Sequence, residues 1–214
     1  MHVTLRGATN GRIRHRTPDR PAAPVVGVGR PVVVPAQWPQ DAVVRTARLR
    51  VEPVRVAHVE EMAVVLGDPA LYAITGGAPP TAVELASRYR RWERPTSDDG
   101  LEGWLNWVVV RDADGAAVGT VQATTTAGAN GLTAEVGWVI GVPFQGHGYA
   151  TEAAEAVVWW LVDRGAGAVH AHIAPDHPAS EAVARRIGMR ATGEFRDDGE
   201  QRWRWRPAQA RTAT

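Results

Sequence analysis

Gln145-Gly146-His147-Gly148-Tyr149-Ala150-Thr151 is the stretch of this chain whose residue types point most directly to chemistry. It follows a β-branched run ending at Ile140 and precedes a run with helical apolar spacing, so it reads as a turn from a strand into a helix. A helix start offers N–H groups without intrahelical partners and the positive end of the helix dipole, and both suit a phosphate. Glycine at 146 and 148 lets the backbone close on such a group because no Cβ intervenes, and the Thr151 hydroxyl adds a donor. Two rival patterns fail. A dinucleotide fingerprint needs a third small residue in register and an acid about 20 residues on, where this chain has Thr151 and then Val169-His170. A nucleotide phosphate loop needs Gly-Lys-Ser/Thr, and there is no lysine in the chain. An ordinary strand-to-helix turn remains open on these residues alone.

The elements around this turn follow from periodicity. Leu49 and Val51 alternate with Arg48, Arg50 and Glu52 as in a half-buried strand ending at Pro53. Residues 56–66 and 81–92 read as helices, the second opening on Thr81 with Glu84 three residues later, a capping box. Residues 104–111 and 116–124 form a predicted hairpin about Asp114-Gly115, followed by a turn at 128–131 and a strand at 132–140. The helix after the glycine turn has the apolar face Ala150, Ala153, Ala154, Val157, Val158, Leu161 and Val162. A strand at 168–174, a helix at 178–187 begun by Pro178, and strands at 189–196 and 201–206 joined at Asp198-Gly199 complete the domain.

Composition removes several classes. Hydrophobic residues at 44% and charged residues at 22% are the balance of one globular domain in 214 residues. All 24 basic residues are arginine, which excludes lysine Schiff bases, and the absence of cysteine excludes thiol nucleophiles and disulfides. A net charge of +1 predicts no general affinity for nucleic acid or membrane. With no apolar run of about 18 residues and no leader pattern, the expectation is a cytoplasmic protein. Residues 1–42 hold Arg6, Arg12, Arg14, Arg16, Arg20 and Arg30 among prolines and read as a disordered arm, residues 43–206 as the domain and 207–214 as a tail. The arm is either a solvated tail or a tether for nucleic acid or a partner.

The chain resembles the Gcn5-related N-acetyltransferase (GNAT) superfamily. Its diphosphate-binding pattern Q/R-x-x-G-x-G/A is matched by Gln145, Gly148 and Ala150. Thr46-Ala47-Arg48-Leu49, Glu135-Val136-Gly137-Trp138 and the late His177-Pro178-Ala179-Ser180 with Gly188-Met189 resemble motifs of its RimJ/RimL-like branch, in order over about residues 43–206. The resemblance implies an α+β fold: a mixed, mostly antiparallel sheet of six or seven strands with flanking helices, whose fourth and fifth strands splay to admit the pantetheine arm of coenzyme A. It implies transfer of acetyl from acetyl-CoA, as co-substrate, to a primary amine by direct attack.

The roles implied are specific. Gln145, Gly146, His147, Gly148, Tyr149, Ala150 and Thr151 would hold the diphosphate. A backbone N–H within Val139, Ile140 and Gly141, from a bulge in the fourth strand, would polarise the thioester carbonyl. Glu135 would take the ammonium proton, and Ser180 would protonate the departing thiolate. Against these, Glu135 reads equally as a solvated carboxylate and Ser180 as a helix cap. His177 stands where relatives carry an asparagine near the pantetheine, and either contacts the cofactor or only caps its helix. Tyr72, Trp104, Asn106 and Trp107, with Gly76-Gly77, fall in segments that line the acceptor site in relatives, although aromatic residues at strand spacing also build cores. Asp98, Asp99 and Glu102 would attract a cationic amine or simply be solvated. No metal is expected: His170, His172 and His177 have no carboxylate at a ligand spacing in the sequence, and the first two read as solvated strand positions. The acceptor would be a protein N-terminus or a small-molecule amine, and the protein a monomer or homodimer. The alternative reading is an acyl-CoA-binding module without catalysis.

Overall fold

The computed structural model describes residues 38–39, 41–93, 96–97, 102–128 and 131–206. The expectations placed on residues 1–37 of the arm, on Asp98 and Asp99, and on the tail at 207–214 lie outside the described residues.

Eight strands form one sheet: β1 (Val44–Arg45), β2 (Leu49–Pro53), β3 (Glu102–Arg111), β4 (Ala117–Gly128), β5 (Gly131–Ile140), β6 (Ala166–Ile173), β7 (Met189–Phe195) and β8 (Gln201–Trp205). Their spatial order is β1-β2-β3-β4-β5-β6-β8-β7. Helices α1 (Val59–Val65), α2 (Ala82–Trp92), α3 (Tyr149–Asp163) and α4 (Pro178–Arg186) flank it. Every neighbouring pair is antiparallel except β5–β6. That exception follows from connectivity, because α3 carries the chain back across the sheet and returns it in the same direction. The expected mixed, mostly antiparallel α+β fold is therefore found, with two-residue β1 as an added edge.

Alternation along the strands sorts side chains between two cores. Leu105, Trp107 and Val109 of β3 and Ala134, Val136, Trp138 and Ile140 of β5 pack with α3 and α4 on one face. Val108, Val110 and Val139 pack with α1 and α2 on the other. Trp138 is 1% exposed, and burying so large a side chain contributes roughly 2–3 kcal/mol. Helices α1 and α2 pack over β3 and β4, and the rest of that face carries polar side chains. In-register pairing sets Trp104, Thr124, Glu135, His170, Arg204 and Arg190 in one row across it, from β3 to β7.

Two local expectations change. The helix predicted over 56–66 is a 3-10 turn at Val56–His58 followed by α1. There the His58 ring nitrogen accepts the Arg55 N–H at 3.0 Å, which tightens the first turn. Strand β4 runs to Gly128 instead of stopping at Thr124, since β-branched threonine suits a half-exposed strand that is paired with β5 to its end. The capping box at α2 forms as predicted, with Thr81 Oγ1 accepting the Glu84 N–H at 3.2 Å and Glu84 Oε2 accepting the Thr81 N–H at 2.8 Å.

Candidate active site

The glycine turn is built as its sequence requires. Gly146 and Gly148 have φ of 80° and 82°, left-handed values that cost other residues about 1–2 kcal/mol. Gly148 is the N-cap of α3 and supplies no capping side chain, so the first N–H groups of this helix are left for a ligand. A cavity of about 230 Å³ opens beside them, lined by Ile140, Gln145, Gly146, Gly148, Ala150 and Thr151 and closed by Ala182, Val183 and Arg186 of α4. Ala150 is 2% exposed and its small side chain leaves that space open. Gln145 and His147 bind the protein itself: Gln145 Nε2 donates to the Ile140 carbonyl at 2.9 Å. His147 Nδ1 lies 2.9 Å from the Gln145 carbonyl, with its ring stacked on Tyr149 at 5.5 Å. These contacts stiffen the turn, so its shape is preformed.

Arg48 and Glu152 hold the turn to the sheet. Glu152, in the first turn of α3, accepts from Thr46 Oγ1 at 2.6 Å, from the Arg48 N–H at 3.0 Å and from Arg48 Nε at 2.7 Å. The Arg48 guanidinium lies 4.9 Å from the Tyr149 ring centroid. The Thr46-Ala47-Arg48-Leu49 motif thus anchors the start of α3. Its acidic partner is more than a hundred residues away, beyond the reach of spacing arguments. Arg186, the cation lining the cavity, was likewise missed, because a basic residue in a last helical turn is ordinary.

Strands β5 and β6 are paired from Leu132↔Ala166 to Glu135↔His170 and no further. Beyond that point β6 pairs with β8, and a gap opens along residues 136–140 of β5. The Gly141 N–H donates to the Val118 carbonyl of the β4 edge, and successive residues alternate edges, so the Ile140 N–H is directed to the gap. The Ile140 carbonyl, taken by Gln145 on that side, agrees. The bulge expected in this strand is absent, because β4 and β5 stay in unbroken register from Gly119↔Ile140 to Gly128↔Gly131. The irregularity falls at Leu132/Thr133 against β6.

Glu135 stands at the mouth of the gap, on the face opposite α3. It is largely buried, and Arg196 Nη2 donates to its Oε2 at 2.5 Å. His172 Nδ1 lies 3.3 Å from Oε1 and His170 Nε2 lies 3.7 Å from Oε2. Burial works to raise the Glu135 pKa, but the close imidazoles of His170 and His172 and the Arg196 charge outweigh it, leaving it at about 2. The reading of His170 and His172 as solvated strand positions is corrected: His172 is buried and His170 half-buried. The missing carboxylate comes from the neighbouring strand, and the three residues place ligand atoms within 4.8 Å of one another. The Arg196 guanidinium already shares this carboxylate, so a second cation there would meet its repulsion.

The remaining site candidates separate. His177 is the N-cap of α4, its Nδ1 accepting the Ser180 N–H at 3.4 Å, with Nε2 3.4 Å from Ser180 Oγ. Both residues are buried. Trp104 and Asn106 lie on the Glu135 face and are half-buried, and Trp104 Nε1 donates to Glu102 at 3.2 Å. Trp107 points the other way into the α3 core, edge-on to Trp160 at 5.5 Å, which removes it from an acceptor site. Tyr72 donates to the Leu66 carbonyl at 3.0 Å, and burial raises its pKa.

An uncapped helix start with a cavity beside it, next to a strand gap with a carboxylate and two imidazoles, is the arrangement the fold builds. Comparison with known proteins agrees at the level of the domain. No curated protein matches the chain. Among solved structures, a GNAT-family acetyltransferase from Bacillus anthracis superimposes with a TM-score of 0.61 at 20% identity, covering 76% of this chain and 97% of that one. RimL, a ribosomal L7/L12 alpha-N-protein acetyltransferase, gives 0.58 at 15% identity over 80% and 96%. The microcin C7 self-immunity acetyltransferase MccE, solved with acetyl-CoA and AMP, gives 0.56 at 16% identity over 74% and 91%. Such identities speak for the fold alone. The family model described as acetyltransferase (GNAT) domain matches residues 48–190, which spans β2 to β7 and both sides of the gap, and the chain belongs to the GNAT acetyltransferase family.

Proposed function

We propose that the protein transfers the acetyl group of acetyl-CoA to a primary amine within a ternary complex. The observation that carries this reading is the opposed placement of two sites about the β5–β6 gap. The uncapped start of α3 and its cavity lie on the α3–α4 face, and the Glu135 cluster lies on the other. A cofactor entering from one face and an amine from the other would meet at the gap in line for direct attack.

In this reading residues 145–151 hold the diphosphate, with Arg186 adding a charge that N–H groups alone lack. The Ile140 N–H supports the thioester oxygen as negative charge develops on it. The Glu135 cluster receives the ammonium proton, and Ser180, held against His177, supplies the proton to the thiolate. Trp104 and Asn106 line the approach of the acceptor, and Tyr72 shapes its far side. RimL is named for a protein N-terminus, and MccE was solved with a nucleotide, so both a peptide and a small-molecule amine belong in the test. Dependence on acetyl-CoA fits a cytoplasmic protein, and no helix among the described residues is long and apolar enough to cross a membrane.

The test is an amine and N-terminal-peptide panel read by free-thiol release, with intact-mass detection of a product heavier by one acetyl group, alongside calorimetric titration of acetyl-CoA. Saturable binding with release against at least one amine supports the proposal. Binding without release from any amine favours a module that only senses acyl-CoA, and no binding removes both.

A further inference from the structure

Acetyl transfer to an ammonium requires a proton acceptor, and the two oxygens of Glu135 are committed differently. Oε2 receives Arg196 Nη2. Oε1 lies 3.3 Å from Nδ1 of His172, and neither of these buried atoms has a hydrogen-bond partner among the described residues. A carboxylate held ionised by a guanidinium binds a proton weakly. At about 2, Glu135 is mismatched to work near neutral pH as a general base.

Imidazole fits the task better, because with hydrogen on one ring nitrogen the other presents a lone pair. The negative charge of a carboxylate oxygen 3.3 Å from Nδ1 favours the tautomer with hydrogen there and leaves Nε2 to receive a proton. Position points to the same residue. His170 is the last β6 residue in register with β5, and its Nε2 faces the oxygen already taken by Arg196. His172 stands two residues further on the same face, where β6 pairs with β8 only and the gap has opened.

We infer that His172 takes the proton from the attacking ammonium, with Glu135 as its positioning residue and Arg196 fixing Glu135 in turn. This inference rests on the acetyl-transfer reading above. An ammonium N–H bond breaks, its electron pair stays on nitrogen, and the proton passes to His172 Nε2. The nitrogen lone pair then forms the C–N bond at the thioester carbon, and the C–S bond breaks with its pair on sulfur. The amide nitrogen loses a second proton; one of the two ends on the coenzyme A sulfur and the other reaches solvent from the imidazolium. Glu135 balances the imidazolium charge. The charged groups facing it are His170 on β6, and Arg202 and Arg204 on β8, in register with His172 and His170. Arg202 is itself paired with Glu194 at 2.8 Å. Arg196 and Glu200, 3.7 Å apart, close the cluster from the β7–β8 connection, with Asp198 acting on Glu200.

The test has two arms. Nitrogen-15 NMR of the imidazoles in the intact protein reads the tautomer directly, without any substrate. The expected result is a neutral His172 protonated on Nδ1, reverting to mostly Nε2 protonation in Glu135→Gln. A wild-type His172 protonated on Nε2 overturns the inference. The second arm follows kcat/KM against pH with the amine that gives fastest thiol release. His172→Asn should lose about 100-fold or more together with the acid limb of the profile. Glu135→Gln should lose less and move that limb to lower pH, with acetyl-CoA affinity by calorimetry unchanged in both. Wild-type rate and profile in His172→Asn would return the role to the carboxylate. Loss of acetyl-CoA binding by the wild-type protein would instead refute the acetyl-transfer reading, which the NMR arm does not depend on.

Discussion

Glu135 and His170 are the last residues at which β5 and β6 run in register. One pair thus marks both the end of the parallel ladder and the mouth of the gap. Its carboxylate has exchanged water for Arg196, which leads to a pH dependence of stability. The Glu135 pKa falls from an ordinary 4.5 to about 2 on folding. Its contribution is therefore complete above about pH 4.5 and is lost as pH falls toward 2. The shift corresponds to about 3 kcal/mol. Urea unfolding at pH 7 and pH 3 should show about 2 kcal/mol of this loss in the wild type and a smaller one in Glu135→Gln.

Gly148→Ala should weaken acetyl-CoA binding and destabilise the fold together. The added Cβ meets only Arg48 Nη2 at 3.6 Å, an ordinary contact, so the cost comes from φ of 82°. About 1–2 kcal/mol is expected from that conformation. Denaturant midpoints give the stability term, and calorimetry gives the affinity. A variant with wild-type values in both would contradict the cradle geometry.

Arg186→Ala should raise KM for acetyl-CoA several-fold with little change in kcat, because the side chain lines the cavity beside the glycine turn. The loss should shrink as salt is added. Initial rates at two ionic strengths measure both effects.

Trp38 is 6% exposed and packs on Trp160 at a centroid distance of 5.4 Å, so core contacts begin earlier than the composition of residues 1–42 suggests. Trp38→Ala should cost about 3 kcal/mol. Removing residues 1–36 should leave the melting temperature near wild type, and extending the deletion through Trp38 should lower it. Equal melting temperatures for the two truncations would refute the packing role.

Much of this was legible locally. The capping box at Thr81 and Glu84, the glycine turn and the alternation of Leu49 and Val51 in β2 each depend on residues within one turn or one strand, and those readings matched the structure. Sequence spacing failed where the partner lies on another element. Trp107 reads like Trp104 until register turns it into the α3 core. His172 reads as solvated because the strand that buries it, β8, follows some thirty residues later and inserts between β6 and β7.

The chain by itself determined that a helix begins at a glycine turn, and that Glu135 sits on a strand leading to it. Backbone propensity, capping and period act over a few residues, so they are written where they operate. Tertiary structure alone decided that Arg48 meets Glu152, that β5 and β6 part after Glu135, and that Arg196, His170 and His172 converge on one carboxylate. Those contacts depend on strand order and register, which are fixed only when distant apolar faces are buried together.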